Sequence, residues 1–424
     1  MKHRVVEHRL LSGASGLVID VSGSAVVNIR VTFHSGFQFS DPAAYEVPHI
    51  MEHLLATVTK QHSKPNAFMI EAQKNGAYVN ASTSSDNNEY IYEFAKFELE
   101  RILDLIEEQV AEPLFTKTAF EAEKSNVREE LTRNTTQHMS VATIRLARQA
   151  FPKLWQDYDE RIVQLEAIKL DQLEEHYVRT HTATNARFYI AGDFDDGGLM
   201  VAQRFSQIFN RLGVGKRLAL SKDIGIGSKV PIVTQRDIDQ IYYRTGVYFS
   251  ELSEHDRATL SLLRMLMVGG MGSRVLGEAR RRGLAYSVGA VGHSEPGNGS
   301  FGFAGYVTPA HAKDLFDIIS RSMKEVSAGK LTSVELEAAK DLFIGSITRS
   351  TQTAGDLLQW YIDRYDDEGE IRPFEASLTK LRTVSVNDVT SLATTISNSD
   401  SRGVSLLGRL TNEQVDSYSA IILV

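Results

Sequence analysis

The sequence predicts an α+β protein of two similar domains, each a mostly antiparallel sheet with helices packed on one face. Three observations lead there. Strand-like and helical segments are intermixed along the chain. Its 424 residues exceed what one typical core organises. The order of segments in the first half also recurs, weakly, in the second, with a period of roughly 200 residues.

Residues 26–34 alternate. Val27, Ile29, Val31 and Phe33 fall on one face and Asn28, Arg30, Thr32 and His34 on the other, which predicts a half-buried strand. Helical spacing follows over 48–58, with Pro48 tolerated in a first turn. Residues 77–83 and 89–94 read as strands on either side of the polar run Ser84-Ser85-Asp86-Asn87-Asn88. Helices are expected over 97–111 and 118–150, the second opening with Thr118 and Glu121 at capping-box spacing. A strand fits 187–192. Residues 211–230 carry Gly213, Gly215, Gly225 and Gly227 without periodicity and read as a linker between domains 1–210 and 231–424. Beyond it come a strand over 241–249, a helix over 256–267, strands over 284–291 and 301–307, helices over 309–327 and 333–348, and a last strand over 403–408. Thr332 with Glu335 and Ser385 with Asp388 mark two further helix starts.

Composition narrows the chemistry. A net charge of −8 without a basic stripe gives no reason to expect a nucleic-acid partner. The absence of cysteine excludes disulfides, thiolate metal sites and a cysteine nucleophile, so any metal must be held by His, Asp or Glu. No apolar run of signal-peptide length follows Met1-Lys2-His3-Arg4, and none approaches a membrane span; a cytoplasmic protein with no membrane partner is expected.

His49-Ile50-Met51-Glu52-His53 is the sharpest feature. On a helix His49 and His53 lie one turn apart on one face, where two neutral imidazoles can take two positions of a tetrahedral zinc. Glu52 lies beside that face, placed to take a proton from zinc-bound water, in the H-x-x-E-H order. A catalytic zinc needs a third protein ligand and an open position. Glu121, Glu123, Glu129 and Glu130 are available in the helix beginning near Thr118. Glu123 and Glu130 are two turns apart on nearly one face, with Glu129 about a quarter-turn away. That pairing favours Glu130 as ligand and Glu123 as a carboxylate orienting a ligand. The bland alternative is a solvated face with partners such as Glu129 and Arg133.

With these residues the chain resembles the pitrilysin family of zinc metallopeptidases (inverzincins), which includes the mitochondrial processing peptidases. The resemblance covers nearly the whole chain. Glu130 stands at the family's distance from the histidines, and Glu123 matches a second family glutamate. Gly76-Ala77-Tyr78-Val79-Asn80-Ala81-Ser82-Thr83, followed by Tyr90, resembles the family's strand that accepts substrate backbone; it implies substrate-binding roles for Asn80, Ala81 and Thr83. Arg280-Arg281-Arg282-Gly283-Leu284-Ala285-Tyr286 resembles a segment whose Arg and Tyr hold substrate and stabilise the oxyanion. Tyr286 fits that position, and Arg280 stands one residue closer to it than the family arginine does, where Ala279 occupies the usual place. The resemblance implies a zinc endopeptidase, one Zn2+ per chain, acting on short or unfolded peptides. A bacterial-type chain of this size resembles half of a full-length relative, implying a homodimer or a heterodimer with a related subunit that encloses a chamber. The alternative it implies is a non-catalytic or specialised peptide-binding subunit.

Overall fold

The computed structural model describes residues 2–221, 223–250, 252–295, 298–368 and 371–422. The chain forms two compact units, each built on one sheet. The first sheet contains β1 (His3–Arg9), β2 (Ser15–Val21), β3 (Val26–His34), β4 (Tyr78–Thr83), β5 (Asn87–Ala95) and β6 (Ala186–Gly192), in the spatial order β1-β2-β6-β3-β5-β4. The second contains β7 (Ile232–Gln235), β8 (Ile241–Ser250), β9 (Val288–Glu295), β10 (Asn298–Val307) and β11 (Arg402–Gly408), in the order β7-β11-β8-β10-β9.

The duplication legible in the sequence is plain in this topology. Dropping β1, the strands β2, β6, β3, β5 and β4 match β7, β11, β8, β10 and β9 one for one. In each sheet the first neighbouring pair is parallel and the other three are antiparallel. Helix Val47–Thr57 follows β3 as helix Glu254–Val268 follows β8. Only the first of these helices carries the two histidines and the glutamate at H-x-x-E-H spacing.

The units are not contiguous halves. The first comprises Met1–Arg133, Asp159–Ser221 and Ser350–Ile371, and the second Asn134–Tyr158, Lys222–Arg349 and Arg372–Val424. This division departs from the simple boundaries 1–210 and 231–424. Helix His138–Ala150 packs on β8 and β11, burying Val141, Ala142 and Leu146, while helix Ala354–Glu368 packs on β2, β3 and β6. The amphipathic pattern marks an apolar face but not the sheet that will cover it. The expected helix 118–150 is two helices, Lys117–Thr135 and His138–Ala150, and the second lays its apolar side on the second sheet. The first begins earlier than expected and is capped by Thr116, whose Oγ1 accepts from the Ala119 N–H at 3.2 Å. Thr332 and Ser385 cap their helices as expected.

Helix Ala354–Glu368 also explains why β3 is not half-buried. Asn28 and Thr32, on its polar face, are 3% and 4% exposed, because the helix covers that side with Gly355 against Asn28. The expected strand at 284–291 begins only at Val288. Gly283, at φ +67°, ends helix Leu276–Arg281 in a Schellman arrangement with the Leu284 N–H on the Ala279 carbonyl. The start of the glycine-rich stretch is no free linker either, since Ala183 and Thr184 donate to the carbonyls of Gly213 and Val214.

Candidate metal centre

Helix Val47–Thr57 lies against β4, and its whole first turn is buried. His49 and His53 share a face with their rings 4.9 Å apart, edge to face. One ligand atom from each of His49, Glu52 and His53 lies within 4.8 Å of the others, a grouping that could hold a metal ion. Glu130, from helix Lys117–Thr135, brings its Oε2 to 3.7 Å from His49 Nε2 and 3.9 Å from His53 Nε2. Glu129 on the same helix is exposed.

Each imidazole is anchored from behind. His49 Nδ1 lies 2.9 Å from Glu46 Oε2, and His53 Nδ1 lies 3.2 Å from Glu123 Oε2. Glu123 also accepts from Thr57 Oγ1 at 2.9 Å and Asn126 Nδ2 at 3.0 Å. Burial works to raise the Glu123 pKa, but the hydrogen bonds from His53, Asn126 and Thr57 outweigh it and hold the carboxyl below its ordinary value. For His53 burial works downward, and Glu123 together with Glu52 reverses it, so the ring sits above its ordinary value. Glu46 is fully buried; burial would raise it, yet the Arg161 charge and the His49 hydrogen bond bring it down to about 2.

Glu52 is 8% exposed, and burial pushes its pKa up, with the two histidines offsetting only part of the effect. A chain of hydrogen bonds fixes its carboxylate. Ser35 Oγ donates to Asn88 Oδ1 at 2.7 Å, Asn88 Nδ2 to Thr83 Oγ1 at 2.7 Å, and Thr83 Oγ1 to Glu52 Oε2 at 3.2 Å. Asn88 Nδ2 also donates to the Pro48 carbonyl, tying the start of the helix to β5.

The donor set suits a zinc ion. Ligands about 2.1 Å from a tetrahedral zinc stand about 3.4 Å from one another, and the two Nε2-to-Glu130 separations are a few tenths of an ångström wider. With a carboxylate on each Nδ1, both rings can present an unprotonated Nε2.

Of the residues singled out in the sequence, His49, Glu52, His53, Glu123, Glu130 and Thr83 come together here. Ala81 shares the Thr83 side of β4. Asn80 lies on the opposite, exposed side and donates to the Tyr78 hydroxyl at 3.0 Å. Tyr286 and Arg280 belong to the second unit, where the Arg280 guanidinium lies 4.3 Å from the Tyr286 ring centroid and donates to the Tyr286 carbonyl. Tyr286 is 77% exposed. Sequence reading passed over Glu46, Arg161 and Asn88. Glu46 had a local signal in its i, i+3 spacing to His49, whereas Arg161 had none.

The family description Insulinase (Peptidase family M16) matches residues 17–154, and Peptidase M16 inactive domain matches residues 167–343. The chain belongs to the M16 peptidase family. An uncharacterized zinc protease of Mycobacterium leprae is 26% identical over 359 residues, covering 81% of this chain and 78% of its own length. An M16 relative from Helicobacter pylori named a non-peptidase homolog is 22% identical, covering 78% of this chain and 77% of its own. The crystal structure of a protease from Helicobacter pylori superposes with a TM-score of 0.84 at 17% identity, over 96% of this chain and 100% of that one, so the two share a fold. No described helix is long and apolar enough to cross a membrane.

Proposed function

We propose that this M16 chain is a zinc-dependent endopeptidase acting on short or unfolded peptides, with His49, His53 and Glu130 holding one zinc and Glu52 serving as general base. The observation that carries the reading is the convergence of two imidazole Nε2 atoms and the Glu130 carboxylate beside the buried Glu52. When bound, zinc polarises the scissile carbonyl and lowers the pKa of water to about 7. Glu52 takes the proton of the attacking water and delivers it to the leaving amine. Burial, which raises the Glu52 pKa, suits both halves of that transfer near neutrality. Thr83 holds one carboxylate oxygen and so orients the other.

Substrate binding is proposed along β4, which ends its sheet and leaves one row of backbone N–H and C=O groups for an extended peptide. Asn80, Ala81 and Thr83 would flank that peptide. Tyr286, with Arg280 stacked on its ring, is proposed to stabilise the oxyanion, within this chain or across a dimer that encloses a chamber. The second copy, or a related subunit, would complete that chamber.

The test is zinc content and mixed-peptide digestion by purified wild type and the Glu52→Gln variant, read by mass spectrometry. The variant should keep its zinc and lose cleavage by at least about a hundredfold. Cleavage retained by Glu52→Gln would refute the assignment. The name of the Helicobacter pylori relative favours weighing a second reading, a peptide-binding subunit of a heterodimeric complex. A zinc-loaded wild type that binds peptides and cuts none of them would support it.

A further inference from the structure

Glu46 and Arg161 form a buried pair outside the H-x-x-E-H motif. Glu46 stands at the N-cap position of helix Val47–Thr57, makes no side-chain capping bond there, and is 0% exposed. Arg161 comes from helix Tyr158–Leu165, and its guanidinium carbon lies 5.0 Å from the Phe37 ring centroid and 5.2 Å from that of Tyr45. Those two rings are themselves stacked at 4.6 Å. Such a seat fixes a planar guanidinium in place.

The pair divides its hydrogen bonds in an informative way. An arginine commonly engages both oxygens of a carboxylate. Here Arg161 Nε donates to Glu46 Oε1, while Oε2 faces His49 Nδ1 at 2.9 Å. An ionised carboxylate only accepts, so the ring hydrogen of neutral His49 must sit on Nδ1. Nε2 is then a free lone pair on the side facing Glu130. His53 receives the same treatment from Glu123, a carboxylate of a different helix.

We propose that Glu46, held by Arg161 against the Phe37 and Tyr45 rings, is a positioning residue for His49. It fixes the Nδ1–H tautomer and the ring plane, and so presents Nε2 to the ion. The inference rests on the zinc reading of His49 given above.

Two measurements test it. In the zinc-free wild-type protein at pH 8, long-range 1H–15N correlation of labelled histidine should show His49 as the Nδ1–H tautomer, its signal assigned by its loss in His49→Gln. An Nε2–H tautomer would overturn the proposal. Zinc affinity, measured by chelator competition, should fall 10- to 100-fold in the double variant Glu46→Gln/Arg161→Met, which removes both charges together. A folded double variant binding zinc within twofold of wild type would overturn it too. If the double variant does not fold, the tautomer in the wild-type protein decides. A wild type that takes up no zinc would bring down the zinc reading and this inference together. A wild type that binds zinc but holds His49 as Nε2–H would bring down the inference alone.

Discussion

Replacing His176 with Gln should flatten the acid sensitivity of the first unit. His176 is 4% exposed in helix Leu170–Thr180. Its Nε2–H donates to the Ser35 carbonyl at 3.0 Å, and Nδ1 faces Arg179 Nη2 at 3.0 Å. A second ring proton would therefore meet an arginine donor. Burial, reinforced by the Arg179 charge and only partly opposed by the Ser35 hydrogen bond, holds the pKa at about 4 against an ordinary 6.5. At 1.36 kcal/mol per unit, that gap is worth about 3 kcal/mol. The unfolded chain takes up this proton near pH 6.5 and the folded one only near pH 4. The contribution is thus complete above pH 6.5 and is lost as the pH falls from there through 4, at up to about 1.4 kcal/mol per pH unit. Gln can still donate to Ser35 but cannot titrate. Because two units need not unfold together, the assay is hydrogen exchange in urea, followed on peptides of β3 and β5 between pH 7.5 and 4.5. The pH slope in the variant should be shallower by up to that amount. Equal slopes in the two proteins would refute the reasoning.

Two further perturbations test the site and the fold. Glu130→Gln should abolish stoichiometric zinc uptake, while Glu129→Gln, on the exposed side of the same helix, should bind zinc as wild type does; elemental analysis after dialysis distinguishes them, and the opposite pattern would move the ligand by one position. Gly355→Ala should destabilise the first unit by about 1–3 kcal/mol in urea unfolding, because the added Cβ would lie 2.8 Å from the buried side-chain amide of Asn28.

How much of this was legible beforehand depends on the distance a signal has to travel. The shared face of His49 and His53 follows from the helical period alone, and the caps at Thr332 and Ser385 follow from three-residue spacings. The relation of Glu123 to Glu130 was legible for the same reason. Their approach to the histidines came with the family resemblance, since no local rule brings residue 130 to residue 49. Thr83 was expected at a substrate strand and turned out to hold Glu52; that role needed the pairing of β4 with β5 and the docking of the helix against them.

The sequence by itself determined the two-sheet α+β plan, its duplication and the one helix able to place two imidazoles together. All of these are set by backbone periods of two and 3.6 residues, which side-chain patterns report directly. Only the tertiary structure decided which sheet each amphipathic helix would cover. It assigned His138–Ala150 to the second sheet and Ala354–Glu368 to the first, and so closed both faces of β3. It also decided that Glu46, an ordinary acid in the sequence, would meet Arg161 in the interior beside His49. Apolar burial is not directional, so a pattern says that a face must be covered without saying by what. A buried charge needs its partner in place, and that partner can come from anywhere in the chain.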